Sequence, residues 1–125
     1  MQDFQNMFSE LFDLEDPMDK YEWIMDYGAG SVGLAKQYHN DETLVKGCTS
    51  PLWLAREESN RIAAWGESSI VNGIASMICD WYNQANRHQQ QDFSLNTLTD
   101  IGLAPLLSMG RQNGVANLIA KIKTL

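Results

Sequence analysis

One stretch of this chain carries the residue types that do covalent chemistry: Val45-Lys46-Gly47-Cys48-Thr49-Ser50-Pro51-Leu52-Trp53-Leu54. A structural cysteine is normally a small hydrophobe among apolar neighbours. Cys48 instead follows a glycine and precedes two hydroxyl residues. Gly47 frees the backbone to turn, and Pro51 keeps the segment out of a helix interior. The pattern predicts a thiol at the tip of a loop, just ahead of a strand-like run and within reach of another molecule. Lys46, two residues earlier, supplies positive charge and is expected to favour the thiolate, the form that attacks sulfur and carbon centres. The competing reading is that Cys48 is incidental.

Cysteine chemistries make different demands on the neighbouring residues. A cysteine phosphatase needs an arginine closing a short loop after the thiol, but Thr49 to Ala55 intervene before Arg56. A papain-like hydrolase needs a histidine base paired with the thiol. His39 and His88 each sit in a polar stretch without an obvious orienting partner. A zinc or iron–sulfur site needs three or four soft or imidazole ligands, and Cys48, Cys79, His39 and His88 form no pair with ligand spacing. Thioredoxin-type exchange uses a second nearby cysteine, and there is no C-x-x-C. What remains is a single exposed thiol that exchanges a group with a partner. A persulfide carrier needs only access, thiolate character and a docking surface, with neither a metal nor a built-in base.

The elements that must position this loop follow from periodicity. Phe4, Met7, Phe8, Leu11 and Phe12 predict an amphipathic helix over residues 2 to 13. Asp16-Pro17 reads as an N-cap and first-turn proline of a second helix, ending at Gly28. Leu34 to Tyr38 reads as a short helical turn. Leu52–Arg56 and Arg61–Trp65 pair around Glu58-Ser59-Asn60, and Thr43 to Lys46 is expected to add a third strand. Gly66-Glu67-Ser68-Ser69 reads as the start of a main helix with a serine cap, with Ile70, Val71, Ile74, Met77, Ile78, Trp81 and Tyr82 on a wide apolar stripe. Cys79, at the edge of that stripe, reads as packing. Asn86 to Asp92 is polar and exposed. Leu98 to Leu107 suggests short helical turns. Ser108 to Gly114 reads as a second glycine-bearing loop before a last helix, whose Lys121 and Lys123 suit the negative end of its dipole. The fold class is therefore α+β: a small antiparallel sheet of about three strands packed against helices, in a single domain over residues 1–125.

Composition bounds the function further. The chain has 125 residues, of which 44% are hydrophobic, enough for a core without disulfides. Nine Lys and Arg against 16 Asp and Glu give a net charge of −7, and the cations form no cluster in the sequence, which sets nucleic-acid binding aside. No signal peptide and no run of membrane-spanning length is present. A reducing, cytoplasmic setting with both thiols free is the expectation.

The Gly47-Cys48-Thr49-Ser50 segment followed by Leu52-Trp53-Leu54 resembles the signature of the SufE-like sulfur acceptor proteins, which include CsdE. The resemblance continues through Met18-Asp19-Lys20-Tyr21, Ile70-Val71-Asn72-Gly73 and Arg111-Gln112-Asn113-Gly114, and covers roughly residues 8 to 123. It implies a fold like that of SufE and IscU, and a carrier that takes sulfur from a PLP-dependent cysteine desulfurase of the SufS or CsdA type. Sulfur is then delivered to an iron–sulfur scaffold such as SufBCD. By position it implies Cys48 as the persulfide carrier, with Lys46, Gly47, Thr49 and Arg111 binding the partner or stabilising anionic sulfur. It implies no cofactor or metal of the chain's own, and a monomer or weak dimer. The chain departs from the family in Gly66-Glu67-Ser68-Ser69, which keeps one carboxylate of an acidic segment. It departs again in Met109-Gly110, which replaces Pro-Ser and predicts a more mobile loop there. Two other readings stay open: a regulatory module that stimulates a desulfurase without carrying sulfur, and a cluster scaffold of the IscU type.

Overall fold

The computed structural model describes the backbone of residues 2–125 and the side chains from Phe4 onward. In chain order the elements are α1 (Gln2–Met7), α2 (Ser9–Phe12), α3 (Pro17–Gly30), β1 (Leu52–Arg56), β2 (Ile62–Gly66), α4 (Ser69–Gln84), α5 (Arg87–Asp92), α6 (Leu95–Asp100) and α7 (Met109–Ile122). Turns of 3-10 helix lie at Lys36–Tyr38 and Ala104–Leu106. Helices packed on a small antiparallel sheet make the architecture α+β, as expected.

The core forms around α4. Its side chains are buried without a break from Ile70 to Cys79, and again at Trp81 and Tyr82. A helix apolar on one stripe only would leave one side to solvent. Here α3, β2 and α7 all pack against it. Ser68 starts the helix by accepting from the Val71 N–H at 3.5 Å.

The contact with α3 is made by backbone. A methyl group at Gly73 would lie 2.1 Å from the Ile24 carbonyl oxygen, and one at Gly28 would lie 2.8 Å from Gly73 Cα. Gly28 is therefore a packing residue inside α3, which runs on to Gly30 with Ser31 as its C-cap. Glycine commonly follows the last turn of a helix, which is why the sequence pattern predicts an end at Gly28. The glycine is instead required by the close approach of α4. Asp16 does cap α3, accepting from the Met18 N–H at 2.8 Å, with Pro17 in the first turn.

The contact with β2 is pinned at both ends by asparagine. Asn72 Oδ1 accepts from the Gly66 N–H at 3.0 Å. Asn83 accepts from the Ile62 N–H and donates to the Ile62 carbonyl, both at 2.8 Å. Eleven helical residues rise ~16 Å and four strand residues ~13 Å, so both pins fit one antiparallel alignment of helix and strand.

β1 and β2 pair in antiparallel register, Leu52 opposite Gly66 and Arg56 opposite Ile62. Asn60, at φ 74, makes the turn between them. Leu52 and Leu54 point into the core, while Trp53 and Ala55 face Leu34 and Tyr38 on the other side. The expected third strand is absent. One isolated bridge, Leu44 to Trp53, takes its place. The chain leaves the sheet after Val45 because Gly47, at φ +81, turns it onto α7. That bridge and the Leu34 N–H to Ala64 carbonyl bond at 3.1 Å each occupy part of an open hairpin edge.

Two other expectations are corrected and one is extended. The helix predicted over residues 2–13 is two pieces, interrupted at Phe8 (φ −117, ψ 37), whose ring is buried against Phe4 at 4.9 Å between centroids. The polar stretch Asn86 to Asp92 is largely exposed, as expected, and beyond that its residues Arg87–Asp92 form a short helix started by an Asn86–Gln89 capping box. The segment Ser108 to Gly114 is the beginning of α7, with Ser108 as N-cap accepting from the Arg111 N–H at 3.4 Å.

Two substitutions in α4 separate backbone contact from burial. Gly73→Ala is expected to cost about 3 kcal/mol or more, because the new methyl meets a carbonyl on another helix. Ser76→Ala is expected to be neutral or stabilising, because Ser76 Oγ is buried without a hydrogen-bond partner among the described residues. Urea unfolding midpoints, at unchanged slope, measure both.

Candidate functional site

The cysteine loop lies along one face of α7. Gly110, Gly114, Asn117 and Lys121 recur at intervals of four, three and four, the spacing of a single helical stripe. Each holds or makes room for part of the loop. Lys121 Nζ donates to the carbonyls of Glu42 at 3.0 Å and Leu44 at 3.1 Å. Asn117 Nδ2 donates to the Lys46 carbonyl at 2.8 Å. A methyl at Gly114 would lie 2.7 Å from Cys48 Sγ, and one at Gly110 would lie 2.9 Å from Thr49 Cγ2. The loop thus runs antiparallel to the helix, gripped where α7 carries polar side chains and seated where it carries none.

This accounts for Gly47 as well. Its positive φ already disfavours a side chain, and a methyl there would come within 2.3 Å of Asn117 Nδ2. The residue predicted to let the chain turn does so, and it also leaves space for the amide that holds Lys46.

Cys48 is half-buried, packed against the core on one side and open on the other. Burial pushes its thiol above the ordinary cysteine value. The expectation that Lys46 favours the thiolate is therefore not met. The Lys46 ammonium is exposed, and its charge is felt by Lys121, which burial first and Lys46 second pull below the usual lysine value. Nor does the dipole of α7 offset the burial, since Gly114 is the sixth residue of that helix and the dipole acts over the first turn. At rest the site holds a protonated thiol.

Arg111 follows Gly110 on α7 but points about 100° round the helix from the stripe. Its guanidinium is exposed and has no hydrogen-bond or ion-pair partner among the described residues. It lines a cavity of about 560 Å³ with Met18, Tyr21, Met25 and Leu106. The structure thus brings Lys46, Gly47, Cys48 and Thr49 together on α7 and sets Arg111 beside them on an adjoining face. The stripe residues Asn117 and Lys121 were not among the sequence candidates. Their signal was the four-three-four spacing of small and polar residues in a segment whose first half had been read as loop.

The remaining cysteine and histidines have structural places. Cys79 is buried in α4, and burial, with Asp80 adding to it, pushes its thiol far up. His39 stacks on Trp53 at 4.8 Å and its Nε2 lies 2.9 Å from the Leu34 carbonyl. His88 pairs with Asp92 at 3.4 Å on the surface. Among the described residues, no three His, Cys, Asp or Glu side chains come together in a way that would hold a metal ion. No described helix is long and apolar enough to cross a membrane.

Loosening the grip on the loop is expected to free the thiol. Asn117→Ala should raise the rate at which iodoacetamide alkylates Cys48 several-fold, because losing one net hydrogen bond of about 1 kcal/mol favours the lifted loop about fivefold. In the unmodified chain the alkylation rate should keep rising with pH beyond the point where an ordinary cysteine levels off, because the raised pKa delays the thiolate. Mass spectrometry of quenched reactions measures both.

Comparison with known proteins gives the family. The family described as SufE, the Fe-S metabolism associated domain, matches residues 5–125. An uncharacterized SufE-like protein of Rhizobium etli is 25% identical over 132 aligned residues, covering 98% of this chain and 88% of its own. The SufE-like protein 1, chloroplastic/mitochondrial, of Arabidopsis thaliana is 26% identical over 123 residues, covering 95% of this chain, which spans 32% of that longer protein. A match over nearly every residue, on a helical fold that presents one cysteine at a loop tip, means that this chain belongs to the SufE family of domains associated with iron–sulfur metabolism.

Proposed function

We propose that this chain is a sulfur acceptor that carries a persulfide on Cys48, loaded by a PLP-dependent cysteine desulfurase of the SufS or CsdA type. The thiolate of Cys48 attacks the outer sulfur of the desulfurase persulfide. A sulfur–sulfur bond forms at Cys48, the donor's sulfur–sulfur bond breaks, and the donor cysteine leaves as a thiolate. No electrons are gained or lost overall, so the exchange needs no oxidant. The persulfide is then passed to an iron–sulfur scaffold of the SufBCD type.

The observation that carries this reading is the seat of Cys48: a half-buried thiol on a loop, over a glycine, with no base beside it. An enzyme that turned over substrate alone would need an activated nucleophile. A carrier can keep its thiol protonated until a partner moves the loop and supplies the charge. Arg111, exposed and unpaired, suits the task of meeting that partner or holding anionic sulfur. Lys46, Gly47 and Thr49 shape the part of the loop the partner reaches first. Both cysteines are unpaired, which suits a reducing compartment such as the cytoplasm.

Intact-protein mass spectrometry after mixing the chain with a desulfurase and cysteine tests the proposal. The expected result is a gain of one sulfur atom at Cys48, reversed by a reductant. Cys48→Ser should reduce uptake to background, and Cys79→Ser should leave it within about twofold, as expected for a buried structural thiol. Faster desulfurase turnover with Cys48→Ser and no labelled thiol would replace the carrier reading with the regulatory one.

A further inference from the structure

A cavity of about 410 Å³ opens between the end of β1, the start of α5 and the end of α7, and three cations line it: Arg56, Arg87 and Lys123. This is a third of the nine Lys and Arg residues in a chain of net charge −7. No Asp or Glu is among the lining residues. Like charges converging in a strongly acidic protein repel one another, and 16 carboxylates were available to pair them.

Neither Arg87 nor Lys123 has an ion-pair partner among the described residues. Among the described residues Arg61 pairs with Glu57, and His88 Nε2 lies 3.4 Å from Asp92 Oδ2. Asp92 is the one acid on α5, and it is not among the residues that line the cavity. Arg56 donates to the Asn60 carbonyl at 3.0 Å, to Asn60 Oδ1 at 3.4 Å and to an oxygen of Leu125 at 3.5 Å. Lys123 Nζ donates to the Gln91 carbonyl at 3.1 Å. The bond to Gln91 fixes the Lys123 side chain without discharging it. Arg87 has no side-chain partner among the described residues. Gln91 lies one turn further along α5 and also lines the cavity, as do the apolar side chains of Ile62 and Ile122.

The geometry points to a binding site for a small, multiply charged anion, phosphate- or carboxylate-bearing, held between Arg56, Arg87 and Lys123. The volume falls within the range of about 300–1,000 Å³ typical of small-molecule sites. Two guanidinium forks and an ammonium, from three different elements, match the planar and tetrahedral oxygens of such ligands. Lys123 lies nine residues beyond Gly114, ~13 Å along the helix axis, so the site is separate from the cysteine seat and does not depend on the sulfur-carrier reading.

Amide chemical-shift titration of the full chain with inorganic pyrophosphate and with citrate, against sodium chloride at matched ionic strength, tests the site. The expected result is saturable shifts confined to residues around Arg56, Arg87, Gln91 and Lys123 with at least one of the two anions. Which anion saturates names the source chemistry. Arg87→Gln, which breaks no internal bond, should weaken that binding about tenfold through loss of a charge-assisted hydrogen bond, while Lys36→Gln, on the exposed 3-10 turn, should not change it. Shifts that never saturate, that spread over the other cations, or that survive Arg87→Gln would overturn the proposal. So would a response to a polyglutamate peptide alone, which would make the surface a protein contact.

Discussion

Everything in this molecule depends on how closely other elements approach α4. Two glycines let α3 and α4 touch backbone to backbone. Two asparagines fasten β2 along the helix by satisfying strand groups that have no neighbouring strand to bond. A two-stranded hairpin is marginal in water, and here the helix does what further strands would do. With α4 enclosed, α7 has a fixed bed, and the cysteine loop in turn has a fixed helix to lie on. The order of dependence runs inward from the thiol to the helix that carries no chemistry at all.

The sequence made the large parts legible and the close contacts hard to see. The apolar stripe of α4, the hairpin, the Asp16 cap and a serine cap on α4 follow from local rules, and all are present, the last at Ser68. Glycine was the recurrent source of error. Gly28 resembled a helix end and Gly110 and Gly114 resembled a loop, yet all three lie within helices. Propensity treats glycine as a breaker because it lacks a side chain to favour the helix. In these places the missing side chain is what the packing uses: another backbone at Gly28, Cys48 at Gly114, Thr49 at Gly110. Only the partner element shows which meaning applies, and the partner is distant in sequence. The third strand failed for a related reason, since the same Gly47 that predicted a turn also ends the pairing one residue pair after it starts.

The electrostatics of the site reverse a local inference. Two residues of sequence separation suggested that Lys46 would act on Cys48, but separation along a loop does not set direction. Lys46 faces water and Lys121, and the thiol faces the core. Burial dominates because a thiolate loses hydration there and no charged group is near enough to replace it. The resting site is therefore quiet, and its reactivity is a property of the loop's position more than of the residues within it.

The grip of α7 on the loop is made almost entirely through main-chain oxygens: Lys121 takes the carbonyls of residues 42 and 44, and Asn117 that of residue 46. Such a grip is blind to the side chains it holds. Glu42, Leu44 and Lys46 can be exchanged for other residues without altering a single one of those bonds. The outward chemistry of the loop is thus uncoupled from its path. Substitution at the exposed positions can change the surface around the thiol while the thiol itself stays in the same seat.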